Sequence, residues 1–321
     1  MRADANLLLL DRDVTRALLA PDDVLAAVRE AFVLHANGSG QLYPVVREAL
    51  PAGVFGIKSG AVPSQGLLGM KAAGFWTGNQ ATGGDGHQAT IILIDPATGR
   101  PLCVVDGNAI TTERTAAAGA IGLQLLARPD SRQLCVFGTG VQARAQVAHA
   151  LRALPALERV VYRASDGRRA PDFEAACADR CEVAPASCPN EAVAASDIVV
   201  TATTGRGPLF DVSAVSPGTH INAVGADTSG KRELPDGLLS RALVWADDLA
   251  QARKLGELQW VTATFPALEL GSLLSTTLPR DPSAITIFDM TGLALQDLTV
   301  ARMLYERALA RRAGITVPWP W

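Results

Sequence analysis

A stretch near the middle of the chain limits its fold more than any other. Gln133-Leu134-Cys135-Val136-Phe137 contains a short apolar run that reads as a buried strand. Gly138-Thr139-Gly140 turns the chain, and an alanine-rich helical pattern follows with Val147 and Leu151 on one face. The spacing Gly138-x-Gly140-x-x-Ala143 fits a dinucleotide-binding turn. Its first glycine allows the tight turn, its second lets backbone approach a pyrophosphate, and the small third residue lets helix pack on strand. The free N–H groups of the helix start then face the phosphates. Gly138, Thr139, Gly140, Val141 and Gln142 are therefore the expected cofactor contacts. The six-residue pattern alone is weak, and an ordinary strand–helix turn also satisfies it. Its setting between a strand and a helix makes it specific.

Beyond this turn the pattern alternates. Apolar runs at Arg159–Tyr162, Asp197–Thr201, His220–Val224, Ala242–Ala246 and Ala284–Phe288 read as strands, with helices at Phe173–Arg180 and Ala192–Ala195 between them. Such alternation predicts α/β architecture with a doubly wound parallel sheet and ligands at the carboxyl strand ends, where Gly138, Thr203, Gly225 and Asp289 fall. The first third reads differently. Leu7–Leu10 is a strand, and Pro21 opens an amphipathic helix that Asn37-Gly38 ends. Tyr43–Leu50, Gly53–Ala61 and Leu67–Phe75 read as an antiparallel meander broken by Pro- and Gly-bearing turns, and two more strands follow at Ala89–Ile94 and Leu102–Asp106, joined by a turn. A long helix starts near Asn108 and stops at Arg128-Pro129, and a last one covers Leu293 to Arg312.

The 321 residues suffice for two domains. A net charge of −3 gives no reason to expect nucleic acid or an anionic membrane as partner. No apolar run reaches the roughly 18 residues of a membrane span, and the four leucines at Leu7–Leu10 are too few for a signal peptide, so the expected address is the cytoplasm. Five cysteines without zinc spacing read as reduced structural thiols, and no metal site is expected. Arg47, Lys58 and Lys71 sit in otherwise apolar strands. Cations there face either solvent or a site.

Taken with His87-Gln88-Ala89-Thr90, the run Asp106 to Ala117, the glycine turn and His220-Ile221-Asn222-Ala223-Val224-Gly225-Ala226-Asp227, the chain resembles the ornithine cyclodeaminase/mu-crystallin family from about Arg47 to the last helix. The resemblance implies a Rossmann-type doubly wound parallel sheet (116–292) inserted in a second α+β domain (1–115 plus 293–321) that binds substrate and forms a homodimer. It implies an NAD(P)-dependent oxidoreductase that reduces a small α-imino acid, a ketimine, to the amino acid. Arg47, Lys71 and Arg114 would surround the substrate carboxylate, as a guanidinium fork and an ammonium suit that group. Asp227 would face the substrate nitrogen and, with Lys71, carry the catalytic proton chemistry. Thr90, Arg114, Thr203, Val224 and Lys231 would lie on the cofactor side. For Asp227 a plain turn aspartate before Thr228-Ser229-Gly230 is the competing reading.

Two positions depart from the pattern. Lys58 stands where the ornithine enzyme carries a glutamate suited to a distal ammonium, which argues against ornithine and for a compact or acidic imino acid. Arg163 follows the second Rossmann strand where an NAD enzyme places an acid for the ribose hydroxyls. An arginine cannot accept those bonds but can pair with a 2′-phosphate, so NADP is expected ahead of NAD. A cyclodeaminase with no net redox change, and a cofactor-binding crystallin-like protein with little turnover, are the competing functions.

Overall fold

The apolar runs fold as two units in the computed structural model, which describes residues 5–276 and 281–320: Met1–Arg114 with Leu293–Trp321, and Thr115–Gly292. The chain begins with β1 (Asn6–Leu10), α1 (Arg12–Leu18) and α2 (Pro21–Ala36). Asp11 caps α1 by accepting from the Val14 N–H, and Pro21 opens α2 where a missing N–H costs nothing. Next come β2 (Gln41–Leu42), β3 (Val46–Leu50), β4 (Gly53–Val62), β5 (Leu67–Phe75), β6 (His87–Ile94), β7 (Pro101–Asp106) and the long helix α3 (Gly107–Leu126). β3, β4 and β5 form the expected antiparallel meander, which β6 and β7 continue, with β1 parallel beside β7.

The second unit holds β8 (Gln133–Phe137), α4 (Val141–Ala153), β9 (Arg159–Arg163), α5 (Pro171–Ala175), β10 (Glu182–Pro185), α6 (Pro189–Ala194), β11 (Ile198–Thr201), β12 (His220–Ala223), β13 (Ala242–Ala246), α7 (Leu249–Leu255), β14 (Leu268–Glu269) and β15 (Ile285–Asp289). All eight strands are parallel, in the order β10-β9-β8-β11-β12-β15-β13-β14. The order runs outward both ways from the β8/β11 pair, which places a crevice at their carboxyl ends. Alternate residues of β8 feed separate cores: Leu134 and Val136 join Val160, Tyr162 and Val200, while Cys135 and Phe137 join Val199, Ile221 and Ile287. A sheet buried on both faces explains why these strands are continuous apolar runs.

The chain then returns to the first unit through α8 (Ala294–Arg311) and β16 (Ile315–Pro318), which pairs antiparallel with β1. Gly69 in β5 leaves room for Leu298 of α8, which a Cβ there would meet at 2.8 Å. The Thr299 hydroxyl ties α8 to α2 through the Ala27 carbonyl at 2.9 Å.

Several elements differ from the sequence reading. The strand expected over Tyr43–Leu50 begins only at Val46, past Pro44, which has no N–H for a ladder, and the two-residue β2 before it was not expected. The helix expected over Phe173–Arg180 is the five-residue α5, after which the chain turns into β10. Helix α1 and strand β16 were not foreseen. No helix among the described residues is long and apolar enough to cross a membrane.

Candidate active site

In the first unit, strand register gathers the cations. Arg47 lies opposite Gly56, Lys58 opposite Lys71, and Gly56 and Lys58 are two residues apart. Side chains two apart share a face, as do directly opposed ones. Arg47, Lys58 and Lys71 therefore leave one face of the sheet, on three adjacent strands. Their burial differs: Arg47 is exposed, Lys58 half-buried and Lys71 only 5% exposed. Arg114, on the second turn of α3, is 7% exposed.

Lys71 and Arg114 meet on Asp297 of α8. The Lys71 Nζ lies 2.7 Å from Asp297 Oδ2, and Arg114 Nε donates to Oδ1 at 3.1 Å. Arg114 also donates to the Gln296 Oε1 at 3.1 Å. Asp297 is fully buried, so this is one anion between two cations, with Lys58 adding a third positive charge. Burial, then the Arg114 charge and that of Lys58, draw the Lys71 pKa down to about 7, against the pull of Asp297. Burial alone would raise Asp297, but Arg114 and Lys71 outweigh it and hold the carboxyl below its ordinary range. The cluster is thus a buried site with surplus positive charge, suited to an incoming carboxylate.

His87 Nδ1 pairs with Asn108 Oδ1 at 3.1 Å. Burial and the Lys71 charge lower its pKa. Thr90 faces away from the cluster. It is exposed and pairs with Ala72 and Asp106, the neighbours of residues on the Lys71 face.

In the second unit, Gly138 adopts φ 104°, and a Cβ there would lie 2.5 Å from the Ala202 carbonyl oxygen. Only glycine fits this turn. Nothing lies within 4 Å of a Cβ built at Gly140, which caps α4 with open space before it. Val141, the first residue of α4, is 67% exposed, Gln142 is half-buried, and Ala143 is fully buried against the sheet. An open, positive helix start behind a glycine turn fits a dinucleotide pyrophosphate. Thr139 uses its carbonyl to accept from Arg144 Nε at 3.3 Å. Arg163, at the end of β9, donates from Nη1 to the Ala186 and Ser187 carbonyls at 3.0 and 3.4 Å.

The crevice side of β11 and β12 carries the remaining residues. The Val224 N–H donates to the Thr201 carbonyl, and Lys231 Nζ to the Thr203 carbonyl at 2.7 Å. Asp227 is half-buried, with its Oδ1 accepting from the Thr228 hydroxyl at 3.1 Å. Its backbone N–H bonds the Gly225 carbonyl, a feature of the turn reading.

The sequence reading missed Asp297, Gln296 and the buried Glu233. For Asp297 a signal existed. It falls at helical spacing between Leu293, Val300 and Leu304, so its carboxylate belongs to the buried stripe of α8.

Comparison with known proteins places the chain among related sequences and folds. The profile of the ornithine cyclodeaminase/mu-crystallin family matches residues 5–312. The iminosuccinate reductase of Paracoccus denitrificans is 35% identical over 312 residues, covering 93% of this chain and 95% of that protein. An archaeal alanine dehydrogenase dimer with bound NAD superposes with a TM-score of 0.92 at 33% identity, over 98% of this chain and 100% of that one. The Δ1-pyrroline-2-carboxylate reductase of Thermococcus litoralis, in complex with NADH and L-proline, gives 0.90 at 27% identity, over 97% and 100%.

Proposed function

The chain belongs to the ornithine cyclodeaminase/mu-crystallin family, and from that premise we propose that it is an NAD(P)-dependent reductase of small α-imino acids. The buried Lys71–Asp297–Arg114 cluster carries the reading: it is a cation surplus held away from water, as a carboxylate of modest size requires. In this proposal the first unit binds the substrate and forms a homodimer, and the second binds the dinucleotide at Gly138 to Gln142 with Thr203, Val224 and Lys231. A bound nicotinamide dinucleotide supplies the hydride. Arg114 and Lys71 fix the carboxylate and so orient the imine carbon, with Arg47 closing over it from β3. Asp227 keeps the imine nitrogen protonated, which makes the adjacent carbon electrophilic and leaves a neutral amine after reduction. Lys71, titrating near 7, is the second group able to hold or pass a proton at neutral pH.

Lys58 opposite Lys71 favours substrates with a second carboxylate or a short side chain over those with a distal ammonium. The test is cofactor oxidation across a panel of cyclic and acyclic imino acids. Short and dicarboxylic imino acids are expected to turn over, and ornithine and lysine to be poor ligands. Ammonia release from ornithine without net cofactor change would assign a cyclodeaminase instead. Cofactor binding without imine turnover would leave a binding protein. Running the panel with both cofactors tests the Arg163 proposal. NADPH is expected to outperform NADH, and Arg163→Asp to reverse the order by about tenfold, the worth of one charge-assisted bond.

The depressed Lys71 pKa has its own signature. Above pH 7 the free protein loses the Lys71 charge, so kcat/KM is expected to fall along a limb with an apparent pKa near 7. Substrate carboxylate raises that pKa again, so the limb is absent from kcat at saturation. Lys71→Arg, which does not titrate, should remove the limb from kcat/KM. A limb that persists in Lys71→Arg assigns it to another group.

A further inference from the structure

We propose that Glu233 is a positioning residue for this reaction, latching the loop that carries Asp227 onto the exit of β11. The loop leaves β12 with the Val224 and Gly225 N–H groups both on the Thr201 carbonyl, at 2.9 and 3.0 Å. At its far end Glu233 folds back, fully buried, and its Oε1 accepts from the Thr203 N–H at 2.8 Å and the Thr203 hydroxyl at 2.6 Å. Lys231 adds its ammonium on the Thr203 carbonyl. Three contacts from one loop thus converge on a single residue. Glu233 reaches that place because position 225 is glycine, since a Cβ there would overlap its carboxylate. Behind the latch, the N–H groups of Glu233 and Leu234 donate to Glu257 Oε1 at 2.7 and 3.1 Å.

The second carboxylate oxygen is the telling feature. Glu233 Oε2 is buried and accepts no hydrogen bond among the described residues. An acceptor that served only to satisfy Thr203 would need one oxygen and no charge, and a glutamine would provide that without an idle buried anionic oxygen. What the charge adds is strength in the two Thr203 bonds, hence a stiffer loop. Asp227, six residues earlier, is then held at both ends of its loop instead of one.

The kcat arm of the test rests on the imine-reductase reading, whereas the amide-exchange arm does not. Glu233→Gln keeps the acceptor and removes the charge. We expect its melting temperature to be equal to or above native, while the Ala226–Arg232 amides exchange about tenfold faster, as weaker neutral bonds imply. NADH affinity, read by fluorescence, should stay within about threefold, and kcat should fall about tenfold at little-changed KM. Glu233→Asp, which keeps the charge but shortens the reach, should loosen the same amides. Native exchange in both variants overturns the latch, as does a kcat loss that follows a general drop in melting temperature with no local change in exchange. If no imine is reduced at all, the reaction assignment fails, and the exchange data still decide whether Glu233 holds the loop.

Discussion

Asp227→Asn is expected to lower kcat by about 10²–10⁴-fold, the usual worth of a positioned acid or base, while leaving cofactor affinity near native. Asparagine preserves the size of the side chain and its oxygen, so the 3.1 Å bond from the Thr228 hydroxyl survives and the loop keeps its turn. What disappears is the negative charge, which in the proposed reaction balances a protonated imine nitrogen. That charge is needed most while the nitrogen is cationic, so the loss falls on turnover more than on binding. Steady-state kinetics with fluorescence-monitored cofactor binding decides the matter. A near-native kcat would make Asp227 a turn residue and send the proton chemistry to Lys71.

Asp297→Asn is expected to cost about 3–5 kcal/mol of folding stability, the range for removing one partner from a buried ion pair. Lys71 and Arg114 would then face each other across a neutral amide in a dry site, whereas each now binds one oxygen of the same carboxylate. Urea denaturation at pH 7 measures the loss, and KM should rise as the two cations move apart. The pH dependence has a definite sign. Asp297 is held below its ordinary range, so its stabilisation is complete above the unfolded carboxyl pKa and fades as pH falls through the lower folded value. The native protein should therefore lose stability in acid by an amount that Asp297→Asn lacks. Equal stability of the two proteins at pH 7 would mean that other groups neutralise the cations.

Much of this was legible from residues alone. The glycine turn, the parallel sheet beyond it and the antiparallel meander before it all follow from local pattern, because each strand's face and each turn's geometry is set by neighbours in sequence. Lys71 and Arg114 could be named as carboxylate ligands only through the family resemblance. The structure adds that Asp297, some 180 positions after Arg114, is their common partner. Helical spacing marks Asp297 as buried but does not name its partners, and an aspartate near the start of a helix reads first as a dipole-favoured residue. Strand β16 escaped notice for a related reason. Ile315-Thr316-Val317-Pro318 is too short to declare itself, and it is a strand because β1 offers an edge. Thr90 lies on the opposite sheet face from Lys71, so its register separates it from the cation cluster.

The return of the chain through α8 and β16 has a consequence for synthesis. The first unit is begun by the earliest residues and finished by the last, while the parallel sheet lies wholly between them. As the polypeptide emerges from the ribosome, the parallel sheet has all its strands by Asp289, before any of α8 exists. Until α8 arrives, β4 to β6 lack the helix that covers their apolar face, and Lys71 and Arg114 lack Asp297. The nascent meander therefore waits until the whole parallel sheet has been made, with its cations hydrated and its core open. α8 and β16 act as a closing key, and damage to α8 would be felt first at Lys71 and Arg114, far away in sequence.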